Sequence, residues 1–304
     1  MPLAGQHLPR AMRCIVGCVA GCVTGCVAGR DASRAMGVAS HGASRVAHAA
    51  RLAMVAAALL TAVPATSAAT TLVVLVSRRA IVIGADSMRT LASGGTEAVC
   101  KVHARDGVVY GFAGAVSSER FDAATIAARE LAGGGDLAQQ ARRIADALQA
   151  GLVEHFGTRH IARARRELVD GQRGRPVTGF IAALVDGKPQ GFLILVLAEP
   201  AGDDVTLTTR VDPLDTIGPD RAIFLSAQHQ EVIARANRAR SGQDRASIAE
   251  LLTAARDLVK LDFALEETRP AAQRRSGPPA SIAVLDRDGL RFEDRGVCPA
   301  IGGR

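Results

Sequence analysis

Two apolar, β-branched runs stand three residues apart: TTLVVLV from Thr70 and AIVIGA from Ala80, with Ser-Arg-Arg between them. Short runs of this composition bounded by polar turn residues pair as a hairpin. A second pair follows, EAVCKVH and VVYGFAG, joined through ARDG, whose Asp106-Gly107 is a strong hairpin turn. Helical spacing then takes over. One helix is expected over 118–131, ending at a Gly-Gly-Gly run. A second, capped by Asp136, carries Leu137, Ala141, Ile144, Leu148, Leu152 and Phe156 on one face. Beyond a basic stretch from His160 to Arg175 come strands in TGFIAALVDG, GFLILVLAEP and DVTLTTRVD. Helices are expected near 228–238 and 247–261, and the hairpin SIAVLDRDGLRF closes the domain. The order of strands, two helices, strands, two helices and strands suits a four-layer αββα sandwich rather than alternating βαβ units.

What precedes the first hairpin has the form of an export signal. Arg45 and Arg51 precede an apolar run from Leu52 to Val63, followed by the small-residue exit of RLAMVAAALLTAVPATSAA. That run is shorter than the roughly 20 residues a membrane span needs. Cleavage after Ala69 or Ala68 is expected, so residues 36–69 read as a secretory signal and the folded domain as 70–297, with 298–304 as a tail. Residues 1–35 are low-complexity; their cysteines at 14, 18, 22 and 26 lack zinc-site spacing and an accompanying His cluster. Met36 gives a leader of ordinary length. No metal and no cofactor are expected.

Charge divides along the same boundary. Residues 1–69 hold six arginines against the single acid Asp31, a balance of +5 out of a total of +7. The domain is nearly neutral, and the chain has one Tyr and no Trp. A nucleic-acid-binding face needs clustered cations or stacking rings on the domain, so that class is set aside. Cys100 and Cys298, the two cysteines of the domain, read as free buried thiols, with pairing as the alternative in an exported protein.

Centring the first turn on Arg78 sets Thr70 opposite Asp86, with Lys101 arriving on the next strand and the Asp-Gly hairpin returning Gly114 nearby. Each group has a chemical use. An α-amino group freed at Thr70 titrates near neutrality and can act as base for its own hydroxyl. A lysine ammonium keeps that amine neutral, and a carboxylate holds the lysine. A glycine N–H faces a developing oxyanion without a side chain in the way. Taken singly, Asp86 and Lys101 read as an ordinary ion pair and Thr70 as an ordinary strand residue. A cleavage signal ending at that threonine joins them into one site.

The motifs TTLVV, VIGADSMRT, KVH and GFAGAVSSE resemble the proteasome β-subunit family and its bacterial proteasome-like relatives. The resemblance is close from Thr70 to about Ser118 and runs on by element order. It implies an N-terminal-nucleophile (Ntn) hydrolase sandwich of two antiparallel sheets flanked by helices, acting as a self-assembled threonine peptidase on peptides or polypeptides. It makes Thr70 the nucleophile, Asp86 and Lys101 its tuning pair and Gly114 the oxyanion amide. It places Arg89, Thr90, His103, Phe112 and Val116 around the first specificity pocket. Ser226, in FLSAQ, and Asp257 are the nearest matches to the family's supporting groups, although Asp257 has Lys260 where the family has serine. Met88 stands where the family often has a basic residue.

The expectation is thus an exported, periplasmic or secreted, homo-oligomeric threonine peptidase with no ATPase partner. Alternatives are a cytoplasmic enzyme with a cleaved propeptide, an Ntn amidase acting on a small molecule, and a non-catalytic ring subunit.

Overall fold

In the computed structural model the first hairpin forms from β1 (Leu72–Val76) and β2 (Ala80–Asp86). The model describes residues 71–90, 95–117, 121–156, 169, 174–202, 204–214, 223–224, 232, 247–270, 274 and 276–300, all within the unit Pro64–Arg304. The leader, Thr70, Ser226 and, apart from Val232, the helix expected near 228–238 lie outside the described residues. Among the described residues no helix is long and apolar enough to cross a membrane.

The turn differs from expectation by one residue. Ser77 N–H donates to Ala80 O at 2.9 Å, and Ser77 Oγ accepts from the N–H groups of Arg79 and Ala80. This hydroxyl holds a two-residue loop, Arg78-Arg79, instead of a single apex at Arg78. Every partner moves by one as a result: Leu72 lies opposite Ala85, and Asp86 N–H donates to Thr71 O at 3.0 Å. Asp86 therefore faces Thr71 rather than Thr70.

β2 pairs next with β11 (Ala280–Asp286), which turns back into β12 (Gly289–Asp294). With the short β10 (Ile223–Phe224) beside β1, the first sheet runs β10-β1-β2-β11-β12. The second is built from β5 (His103–Arg105), β6 (Val108–Gly114), β7 (Val177–Val185), β8 (Lys188–Ala201) and β9 (Asp204–Pro213), in chain order and antiparallel throughout. At the Asp106-Gly107 turn both residues have positive φ, 50° and 78°, as a type I′ hairpin requires.

Three cores stack between four layers. Leu72, Val74, Ile81, Ile83, Phe180 and Leu195 fill the space between the sheets. The alternate residues of the first hairpin, Val73, Leu75 and Val82, pack on α3 (Ile248–Glu267) through Ala255, Leu258 and Val259. This is why β1 and β2 show no polar alternation: both faces are covered. On the far side, Tyr110, Phe112, Ile181 and Ile194 meet α1 (Ala123–Leu131) and α2 (Leu137–Phe156) through Ala127, Ile144 and Leu148. Asp136 Oδ1 accepts from Gln139 N–H at 2.8 Å, as the expected cap of α2. Ser247 caps α3 in a reciprocal box with Glu250. The architecture is the four-layer αββα sandwich.

Two local departures shape the site. The run expected as one strand, EAVCKVH, is broken. Its start forms β4 (Thr96–Ala98), paired with β3 (Met88–Thr90) in a separate two-stranded sheet, and strand structure resumes only at His103. Lys101 sits in the break. Second, Cys100 and Cys298 are joined in a disulfide, which corrects the reading of two free thiols. Their 198-residue separation hid the pairing; the segment after β12 folds back beside the break, where Cys298 is buried. The disulfide brings Cys298 into the fold rather than leaving it in a tail.

One glycine couples the core to the site. A Cβ on Gly179 would lie 2.1 Å from the Phe112 ring and 2.9 Å from Gly111 O. Gly179→Ala is therefore expected to cost about 1–3 kcal/mol through overpacking. Urea denaturation checks this, and an unchanged midpoint would mean that Phe112 does not pack across that backbone.

Candidate active site

The β1–β2 register delivers one carboxylate to the sheet end. Asp86 is fully buried. Its Oδ1 accepts from Thr71 N–H at 2.7 Å and from Lys101 Nζ at 2.7 Å, and its Oδ2 from Lys101 Nζ at 2.8 Å and Met88 N–H at 3.0 Å. Lys101 Nζ also donates to Met88 O at 2.5 Å. The main chain of Met88, not its side chain, does this work, so the absence of a basic side chain there removes nothing from the pair.

Burial pushes the Asp86 carboxyl up to about 6, against the opposing pull of Lys101 and of the Thr71 and Met88 N–H groups. Burial likewise pushes the Lys101 ammonium down, against the attraction of Asp86 and, further off, Asp262. Burial thus shifts both members of the pair toward their neutral forms.

Gly114 ends β6 at φ 101°. A Cβ there would lie 2.2 Å from Pro176 O, so only glycine fits. Ala115 N–H donates to Pro176 O at 2.7 Å, and hydrogen-bonded pairs alternate along antiparallel strands. The Gly114–Val177 pair is consequently a non-bonded one, and the Gly114 N–H turns to the opposite edge of β6. β5 no longer covers that edge, since its pairing with β6 stops at His103–Tyr110.

Of the two groups picked from the sequence as support, only Asp257 lies among the described residues. Asp257 is exposed on α3. Asp262 is buried, and its Oδ2 accepts from both Thr71 Oγ1 and Ser276 Oγ. Five residues further along a helix is about 140° around it, which turns Asp262 inward where Asp257 turns out. The serine partner comes much later because α3 runs on to Glu267. Its signal was present as Ser276-Gly277 just ahead of the closing strand. The Ser226 position lies outside the described residues.

Beside Lys101 opens a pocket of about 410 Å³, lined among others by Arg89, His103, Phe112 and Val116. Four of the five expected pocket residues thus meet Lys101; of Thr90 only the backbone, at the end of β3, is described. Arg89 is spoken for: its guanidinium is paired with Glu97 and donates to Ser117 Oγ at 3.0 Å.

No family model and no curated protein sequence matches the chain. Among solved structures it is similar to a Gly-1 mutant of Anbu from Hyphomicrobium sp. strain MC1, with a TM-score of 0.43 and 14% identity over 77% of this chain and 89% of that one. No residue role rests on that likeness.

Removing one partner of the buried pair has a pH signature. Lys101→Met is expected to cost about 3–5 kcal/mol at pH 8, since it strands a buried charge. Asp86 takes up a proton near pH 6 in the parent and, without the Lys101 charge that holds its carboxyl down, more readily still in the variant, so the deficit shrinks at pH 5. Urea denaturation of both proteins at the two pH values measures it. Equal deficits would show that Asp86 is not the group left alone.

Proposed function

We propose that the chain is an exported hydrolase that cleaves peptide bonds with an N-terminal threonine, Thr70, freed when the leader is removed. The observation that carries this reading is the buried Asp86–Lys101 pair, closed by the N–H of Thr71, the residue immediately after the proposed nucleophile. The pocket beside Lys101 supports a substrate side chain held next to that centre. The Cys100–Cys298 disulfide supports export, because such bonds persist in oxidising compartments.

In the proposed reaction Thr70 Oγ attacks the substrate carbonyl while the Thr70 amine takes its proton. Lys101, fixed by Asp86, keeps the amine neutral beforehand. The Gly114 N–H stabilises the oxyanion, the ammonium returns its proton to the leaving amine, and water then releases the acyl group by the same route. Thr71 is excluded as nucleophile: its side chain is wholly buried and its hydroxyl is committed to Asp262. The proposed partners are peptides or unfolded chains and further copies of this chain, unaided by an ATPase.

Position is the sharpest test. Cleavage one residue early would leave Ala69 ahead of Thr70, moving the amine by one Cα step of about 3.8 Å and turning the Thr70 nitrogen into a non-basic amide. A base must lie within about 2.6–3.2 Å of the proton it takes. Leaderless protein starting at Thr70 is expected to hydrolyse peptides and to react with an epoxyketone, whereas protein starting at Ala69 folds and does neither. Equal activity with the extra alanine retained, read by mass spectrometry, would remove the mechanism. Thr70→Ala should be inert and Thr70→Ser partly active.

Turnover and stability are expected to part on the acid side. Below about pH 6 Asp86 is protonated, its hold on Lys101 weakens and turnover falls. The folded state meanwhile binds a proton that the unfolded chain, with its carboxyl near 3.8, does not yet bind. This group's contribution to stability therefore grows as the pH falls through 6, is complete below 3.8 and is lost as the pH rises again. Activity and urea midpoints measured across about pH 4.5–8, which brackets the folded carboxyl's value of about 6, test this. Rate loss that simply follows unfolding would contradict it.

A further inference from the structure

Resting on the hydrolase reading above, the geometry points to a substrate class: peptides with lysine or arginine on the acyl side of the cut, selected by Asp122. Three features of the pocket lead there, none of them used by the catalytic centre.

The first is charge. Of the charged side chains lining the pocket, Lys101 is neutralised by Asp86 and Arg89 by Glu97. Asp122 also lines it. Its Oδ1 caps α1 by accepting from Thr125 N–H at 2.7 Å, and no cation pairs with it among the described residues. Counted with their partners, the pocket's charged groups leave one negative charge. An acidic substrate side chain is repelled, and a cationic one supplies the counter-ion that Asp122 lacks among the described residues.

The second is the floor. His103 stacks on Tyr110 with centroids 5.4 Å apart and planes 22° from parallel, and Phe112 continues the row at 6.2 Å. Burial pushes the His103 imidazolium down in pKa against the opposing pull of the Asp122 carboxylate, so burial favours an uncharged row of π faces. Cations bind such faces, the more strongly when water is excluded. Neither the imidazole nor the Tyr110 hydroxyl has a hydrogen-bond partner among the described residues, which leaves polar edges for the N–H groups of a guanidinium or ammonium.

The third is shape. The α1 wall opposite the rings offers Ala124 and Ala128 to the pocket. Methyl groups there leave a slot that an unbranched methylene stem can fill before its charged head reaches Asp122.

Asn caps helices as well as Asp does, so Asp122→Asn removes the charge while keeping the start of α1. The first experiment compares kcat/KM for fluorogenic peptides ending in Arg, Leu or Glu before the reporter, on protein starting at Thr70. Arg is expected to exceed Leu about tenfold or more, with Glu poorest. The Arg-to-Leu ratio is expected to fall about ten- to a hundredfold in Asp122→Asn, the range for a hydrogen bond to a charged group. A wild-type preference for Leu or Glu, or an unchanged ratio in the variant, would overturn the assignment.

The second experiment separates this from the reaction. Fluorescein-labelled peptides with a C-terminal Arg or Leu are titrated into Thr70→Ala protein, with and without Asp122→Asn, and binding is read by polarisation. Tighter binding of the Arg peptide that depends on Asp122 supports the pocket even if no peptide is ever cleaved, in which case the hydrolase reading alone fails. Equal binding of the two peptides sinks the pocket assignment whatever the turnover.

Discussion

A carboxylate wholly removed from water, Asp86, shares its two oxygens among one ammonium and two main-chain N–H groups, and much of the local architecture is arranged to make that possible. The two-residue loop at Arg78-Arg79 sets the register that puts Asp86 opposite Thr71. The break between β4 and β5 lets Lys101 leave the ladder and reach inward. β3 begins at Met88, whose N–H and carbonyl bracket the pair. A shift of one residue at the first turn would move every side chain of β2 to the other face and leave Lys101 without its carboxylate.

Stability alone does not account for such a pair. Taking two charges out of water costs several kcal/mol per ion, and well-packed apolar side chains in their place are often neutral or better. Both groups are in fact held away from their charged forms by burial. An arrangement that shifts an acid and a base toward each other, one residue from a proposed new N-terminus, fits a site that moves protons. Asp262 extends the same logic. By holding Thr71 and Ser276 together, it ties the start of β1 to the segment that leads into β11.

Much of the layer order was legible because it depends on local patterns: unbroken Val/Ile runs for doubly covered strands, Asp-Gly at a hairpin turn, Asp136 and Ser247 ahead of helical periodicity. Asp86, Lys101 and Gly114 were legible as motif residues, and the described residues bring Asp86 and Lys101 into direct contact. Three things were not. The register depended on a side-chain hydroxyl, Ser77 Oγ, closing a two-residue loop, which strand composition does not report. Asp257 reads as the late aspartate without the serine expected three residues on, whereas α3 continues to Glu267 and carries a buried aspartate, Asp262, further along. The disulfide joins residues 198 positions apart, and only the return of the chain after β12 brings them together. The first is a local loop closure by one hydroxyl, whereas the disulfide is a tertiary fact that no local rule reports.

The disulfide also bears on how the proposed enzyme is kept silent under the proposed export. Cys100 is the neighbour of Lys101, in the stretch where the chain has left both β4 and β5 and no strand ladder holds it. Its bond to Cys298 fastens that stretch to the end of the domain, beside β11, where Ser281 Oγ donates to Arg295 O at 3.0 Å. Closing so long a loop constrains the unfolded chain strongly, a contribution of about 5 kcal/mol in the chain-entropy model. In a reducing cytoplasm that fastening is missing and the leader still covers the Thr70 nitrogen. Under the proposed export both conditions change on the same side of the membrane: the amine is freed and the stretch bearing Lys101 is pinned. Leaderless protein starting at Thr70, with Cys298→Ser, separates the two. It has its amine but not its fastening, and is expected to unfold at lower urea and to turn over peptides more slowly than the oxidised parent under the same conditions. If it matches the parent in both, the disulfide is incidental to the site, and leader removal alone governs activation.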